Sequence, residues 1–430
     1  MEIKKLYAVI VGYGNRGQVY ADYSLEEPAE LGIAAIVDPN EFKLQEAKAR
    51  YGLSEESLFR SFEEFAASNI KCDFVINSTM DQQHYEATIK ILNAGYHVLM
   101  EKPIVPEAGQ MREIQRIANE KQLNVFVCHV LRYAPFYREI KEILNSGEIG
   151  EIMSIEMHEH VNLPHYLTAY VRGKWNSESK CGSGFLLAKS CHDLDLMCWL
   201  NNASAPVEVV SMGNRSQFVP EKAPKGATEF CYQCPHEPTC DYSAILHYMK
   251  KRVMPFLVWD RLNKPLDEIT EEEKMEFLKK DIYGKCAYTC GGDIVDRQNV
   301  IVTFENGSIA NFNLVAGSVG PSRYLHIIGT RGEIEGELED DAYIIRKHSK
   351  EKLFGDDELH EVHPINNAKF GGHNGGDYAI MHDLVRYING DRSSVSITSL
   401  DDSVYGHLCV FAAEQSRKTH SIVNIGMNLQ

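Results

Sequence analysis

LYAVIVGYGNRG, residues Leu6 to Gly17, decides the fold. A short apolar, partly β-branched run enters Gly12-Tyr13-Gly14-Asn15-Arg16-Gly17 directly, and a helical pattern follows. In that position G-x-G-x-x-G is the turn of a dinucleotide-binding βα unit. Its first glycine makes the tight turn, the second lets backbone approach a pyrophosphate, and the third allows close helix–strand packing. Asp38 closes the next strand, Ile33 to Val37, 21 positions after Gly17. A carboxylate there hydrogen-bonds the adenosine ribose hydroxyls and repels a 2′-phosphate, so NAD is expected over NADP. Arg16, inside the turn, is a cation that would soften that preference.

Working outward, short strand patterns recur at Phe74–Ile76, His97–Met100 and Val125–Val127, with helical patterns between them. Such alternation predicts a doubly wound parallel sheet, a Rossmann domain over residues 1–125. After a helix at Pro135–Asn145 the periodicity changes. Alternating segments at Met153–His160, Val207–Met212, Val300–Phe304, Ser308–Val315, Tyr324–Gly329, Glu333–Leu338 and Tyr343–Arg346 read as strands. With a short helix at Leu194–Leu200 and helices at Asp377–Asn389 and Leu400–Ser416, residues 126–430 form an α+β domain. Its sheet is expected to be open and mainly antiparallel, interrupted by an irregular insertion at about 213–296. An uncovered sheet face commonly becomes a subunit interface, which points to a homodimer or homotetramer. The fold class is α/β overall.

The 430 residues carry 44% hydrophobic and 24% charged side chains, a globular composition, and a formal net charge of −17. That charge opposes nucleic acid and anionic membranes, whose binding rests on cationic side chains. The N-terminal apolar run is too short to span a bilayer and lacks a cleavage pattern, so a cytoplasmic protein with reduced cysteines is expected.

The fifth strand runs His97-Val98-Leu99-Met100 into Glu101-Lys102-Pro103, which places a lysine at the carboxyl edge of the sheet, where such folds bind ligands. With the glycine turn, Asp38, Ser78-Thr79-Met80-Asp81, His84, Arg132-Tyr133 and a histidine near 192, the chain resembles the Gfo/Idh/MocA oxidoreductases over nearly its whole length. The resemblance implies a cofactor site of Gly12, Gly14, Asn15, Arg16, Gly17, Asp38, Ser78, Thr79, His84, Glu101, Lys102 and Pro103. It implies that Lys102 stands beside the nicotinamide and the reacting hydroxyl as a proton relay. His84 has a second reading, as a structural histidine on its helix.

Many relatives carry Asp-x-x-x-His in the second domain. Here the stretch is Ala188-Lys189-Ser190-Cys191-His192-Asp193-Leu194-Asp195, so His192 matches but Ala188 replaces the aspartate. Lys189 or Asp193 is then expected to take over part of that role, and His192 with Asp195 has an alternative reading as a helix anchor. Upstream, His165-Tyr166-Leu167-Thr168-Ala169-Tyr170-Val171-Arg172-Gly173-Lys174-Trp175 mixes rings, cations and hydroxyls as a polyhydroxylated ligand requires. His165, Tyr166, Arg172, Lys189, Asp193, Arg132 and His373 are the substrate candidates.

The function implied is hydride transfer between nicotinamide and a ring hydroxyl or keto group of a sugar, cyclitol or sugar derivative. Two alternatives remain: NAD-dependent glycoside hydrolysis by transient oxidation and elimination, which the loss of the aspartate at 188 keeps open, and a NAD-responsive regulatory sensor. Retention of Lys102 argues against the sensor.

Within the insertion, Cys231-x2-Cys234-x5-Cys240 is followed distantly by Cys286 and Cys290. Three thiolates from one segment and a fourth from Cys286 would suit a closed structural zinc site. Plain burial of free thiols is the alternative.

Overall fold

The computed structural model describes residues 3–353, 355–361 and 372–426. Strands β1 (Leu6–Val11), β2 (Leu31–Val37), β3 (Leu58–Phe59), β4 (Phe74–Asn77), β5 (His97–Met100) and β6 (Val125–Val127) form a six-stranded sheet in the order β3-β2-β1-β4-β5-β6. Every pairing in it is parallel. Val9, Ile10, Ile36, Val75, Ile76, Val98 and Leu99 are completely buried, as expected when helices cover both faces of a sheet. The strand order reverses between β1 and β4, so their carboxyl ends open a crevice there.

The second sheet has nine strands: β7 (Ile152–Asn162), β8 (Pro206–Asn214), β9 (Arg297–Phe304), β10 (Ile309–Ser318), β11 (Ser322–Gly329), β12 (Gly332–Glu337), β13 (Ala342–Lys347), β14 (Asp356–Glu361) and β15 (Val423–Asn424). Their order is β14-β13-β12-β11-β7-β10-β9-β8-β15, antiparallel throughout except where β7 meets β10. Alternation sets which face is core: Ala310, Phe312 and Leu314 of β10 and Val300, Val302 and Phe304 of β9 point inward. Helices Phe185–Leu200 and Leu400–Thr419 pack together, and both contact this sheet.

Three features differ from the expectations. The short helix expected at Leu194–Leu200 begins nine residues earlier, at Phe185. It is buried on almost every side, so it has no polar face and shows no 3.6-residue period. Helix Gly376–Ile388, which the periodicity groups with the second domain, packs through Tyr378, Ala379, Ile380, Met381, Leu384 and Val385 into the core of the first. The insertion, expected to be irregular, is organised by burial. It has its own apolar core of Ala244, Tyr248, Val258, Trp259, Ile269, Leu278 and Tyr283. It also contains a helix, Glu271–Leu278, started by a Thr270/Glu273 capping box.

Candidate active site

The crevice is a cavity of about 740 Å³. At one end Gly12 takes φ +89°, and a Cβ there would sit 2.7 Å from the Ser78 carbonyl oxygen. A Cβ on Gly17 would sit 2.3 Å from the Gly12 carbonyl oxygen, whereas Gly14 faces open space. Two glycines therefore lock the turn, and the third leaves its backbone bare to the cavity, the cradle a pyrophosphate needs. The Ser78 hydroxyl donates to the Gly12 carbonyl at 2.7 Å and fixes β4 against the turn. Gly12, Gly14, Asn15, Asp38, Ser78 and Thr79 all line the cavity. Asp38 accepts backbone hydrogen bonds from Tyr13 and Asn40, each 2.8 Å, which hold its carboxylate in place.

Arg16 also lines the cavity, but its guanidinium is already engaged. It donates to Glu101 Oε1 at 2.7 Å and to Asp377 at 2.7 and 3.2 Å. Two carboxylates thus hold this cation in place. Glu101 also accepts from Tyr20 Oη at 2.6 Å, and with its other oxygen from the Lys102 backbone N–H at 2.8 Å.

At the other end, Lys102 Nζ donates to the carbonyl oxygen of Ala188 at 2.8 Å. The position where many relatives hold an aspartate side chain thus still meets the lysine, through its backbone. The Lys102–Pro103 peptide is cis. His165, Lys189, His192 and His373 line the same end. Burial, then the charge of Lys102 and the neighbouring His129, holds His192 well below the usual histidine pKa, so the ring is neutral. Its ring lies 5.6 Å from that of His129 and 6.1 Å from that of His373. His165 is likewise pushed down to about 3, by burial above all.

Beside these rings lies a charge cluster, of which Lys189 and Arg323 line the cavity. Lys189 Nζ meets Glu159 at 3.0 Å, and Arg323 pairs with both Glu159 and, at 3.1 Å, Asp193. Burial raises Asp193 above the usual carboxylate range, with Arg323 opposing. Glu159 and Arg323 come from β7 and β11. Their only sign in the sequence is a charge at an inward position of an alternating strand.

Several expected site residues serve the scaffold instead and do not line the cavity. Both ring nitrogens of His84 are tied to backbone, Nδ1 to the Pro103 carbonyl at 2.6 Å and Nε2 to that of Thr79 at 3.0 Å. Arg132 is buried in a bidentate pair with Asp195 at 2.6 and 2.7 Å. Tyr166 packs among Tyr170, Phe185 and Phe218. Arg172, fully buried, donates to the carbonyls of Lys285 at 2.8 Å and Tyr242 at 2.6 Å, tethering the insertion.

The zinc expectation is corrected as well. Cys231, Cys234, Cys240 and Cys286 line one small cavity of about 20 Å³, yet among the described residues no three His, Cys, Asp or Glu side chains converge as metal ligands. The Cys231 sulfur accepts from the Ala244 backbone N–H at 3.4 Å, and burial raises the Cys240 and Cys286 thiols.

Residues 6–129 match the family described as "Oxidoreductase family, NAD-binding Rossmann fold", and residues 141–425 match its C-terminal alpha/beta domain. The chain belongs to the Gfo/Idh/MocA oxidoreductase family. It is 24% identical over 326 residues to the protein YteT of Bacillus subtilis, named as an oxidoreductase, covering 73% of this chain and 72% of that one. It is 26% identical over 186 residues to the scyllo-inositol 2-dehydrogenase (NADP(+)) IolW of the same organism, covering 43% and 49%. The fold matches levoglucosan dehydrogenase in complex with NADH at a TM-score of 0.71, with 17% identity over 98% of this chain and 99% of that one. As a Gfo/Idh/MocA protein it is a NAD(P)-dependent oxidoreductase. Among the described residues no helix is long and apolar enough to cross a membrane.

Proposed function

We propose that this enzyme transfers a hydride between NAD and a ring carbon of a sugar, cyclitol or sugar derivative. The observation that carries the reading is the single cavity joining the glycine turn and Asp38 at one end to Lys102, His165 and His192 at the other. Relatives named for scyllo-inositol and 1,5-anhydro-D-fructose support the substrate class. Bound NAD supplies the hydride acceptor. Gly14, Ser78, Thr79 and Asp38 hold it, and Asp38 favours the unphosphorylated ribose because like charge repels a 2′-phosphate.

Oxidising a secondary alcohol releases a hydroxyl proton as well as a hydride. Lys102 receives that proton in this reading, which is supported by its Nζ donating to the Ala188 carbonyl and pairing with no carboxylate among the described residues. Neutral His192 is available as a second acceptor or as a hydrogen-bond partner for the ring hydroxyls. Lys189, with Glu159 behind it, offers an ammonium to a further hydroxyl. The buried rings and aliphatic walls exclude water around these groups and strengthen each polar contact.

Lys102→Met keeps the length of the side chain and removes the proton acceptor. Turnover should fall by about 100-fold or more, with the NADH dissociation constant unchanged by fluorescence titration. Full residual turnover would overturn the assignment.

A further inference from the structure

The insertion returns to the cofactor end of the cavity, which its cysteines do not reach. Met254, Phe256 and Leu257 line the same cavity as Gly12 and Asp38. The next two residues, Val258 and Trp259, are sunk in the insertion's own core, 0% and 3% exposed. Beyond them the chain touches the first domain: Asp260 pairs with Lys43 Nζ at 2.9 Å, and Asn263 Oδ1 accepts from the side-chain amide of Asn40 at 2.7 Å. Asn40 is the residue whose backbone N–H holds the Asp38 carboxylate. The segment therefore runs from the cavity wall, through an anchor in its own core, to a latch beside the Asp38 carboxylate.

The latch is light. Asp260 is half exposed, and an ion pair at such a position contributes little. Arg252, Met254 and Asn263 flank the segment with left-handed φ of 52°, 42° and 48°. Non-glycine residues such as Arg252 and Met254 carry strain there. A wall joined through one core anchor to a latch of two solvent-reached polar contacts has the construction of a lid hinged at that anchor.

We propose that residues 252–263 form a clasp that closes over the bound dinucleotide and controls how fast it leaves. This rests on the reading of the cleft as a NAD site. The clasp also occupies Lys43, the cation nearest Asp38 on the following helix, through Asp260. Dinucleotide exchange then requires the Lys43–Asp260 and Asn40–Asn263 contacts to break and the Met254–Leu257 wall to swing out.

The test uses the full chain without substrate. NADH is bound, excess NAD is added by rapid mixing, and release is followed through energy transfer from the tryptophans to NADH, Trp175 being in the cavity wall. Asp260→Lys and Lys43→Asp should each speed release about two- to fivefold, the range for an exposed ion pair. The double exchange should return the rate toward wild type. Phe256→Ala, which leaves the ion pair intact, should also speed release. Unchanged release in the single variants, or no recovery in the double, would overturn the clasp while leaving the NAD site standing. No NADH binding by the wild-type chain would overturn both.

Discussion

At the scale of single residues, the assignment of roles turns on what each charged group already touches. Asp38 keeps its carboxylate at the cavity through two backbone hydrogen bonds, and Arg16 is spent on Glu101 and Asp377. Asp38→Ala should therefore erase most of the preference for NAD over NADP, seen as convergence of the two dissociation constants. An unchanged ratio would mean that something else selects the cofactor. His192→Gln should lower turnover about 100-fold with NADH affinity preserved, because its ring lies beside those of His129 and His373; a matching loss of NADH affinity would place it wrongly. The residues that the sequence made legible are those whose chemistry is local, where a strand ends in Gly12, Asp38 or Lys102. Glu159 and Arg323 were not legible, because their meaning arises only when β7 and β11 pair and bring them to Lys189 and Asp193.

At the scale of elements, helix Gly376–Ile388 is joined to the first sheet by more than packing. Asp377 meets Arg16 at 2.7 Å and also pairs with His373 at 3.1 Å. Although burial works against it, Arg16 and then His373 hold Asp377 well below the usual carboxylate range. The unfolded chain therefore binds a proton near the ordinary aspartate value while the folded one does not. The stabilisation is present above about pH 4 and is lost as pH falls below it. Asp377→Asn should cost about 2 kcal/mol at pH 7, less than the roughly 3–5 kcal/mol of a wholly buried pair, because the Arg16 side chain is 27% exposed. Denaturation midpoints at pH 7 and pH 3 check this: the gap between variant and wild type should narrow at the lower pH, and a constant gap would deny the link. The same helix shows why element boundaries were easier to read than element placement. Its apolar face is plain in the sequence, but not which sheet that face covers. Helix Phe185–Leu200 is the converse case, since burial on nearly every side erased its period.

At the scale of the whole molecule, the nine-stranded sheet leaves one face outward. That face carries Met212 at 73% and Ile301 at 41% exposure, beside the stacked rings of His158 and His160 with Tyr324 against them. An apolar and aromatic surface of this kind suits a second copy of the chain. Light scattering should return a mass that is an even multiple of 48.7 kDa, and Ile301→Glu should shift it toward the monomer; a monomeric wild-type chain would assign the face another use. The cavity between the two domains holds the central claim, that a sugar or cyclitol hydroxyl gives up its hydride to NAD beside Lys102. The most direct test incubates the enzyme and NAD with free sugars, cyclitols and aryl glycosides, following NADH absorbance and aglycone release together. NADH should form in proportion to the free sugar or cyclitol consumed, and its formation should be lost with Lys102→Met. Aglycone release with no net NADH would contradict it and make the enzyme a glycoside hydrolase that returns its hydride.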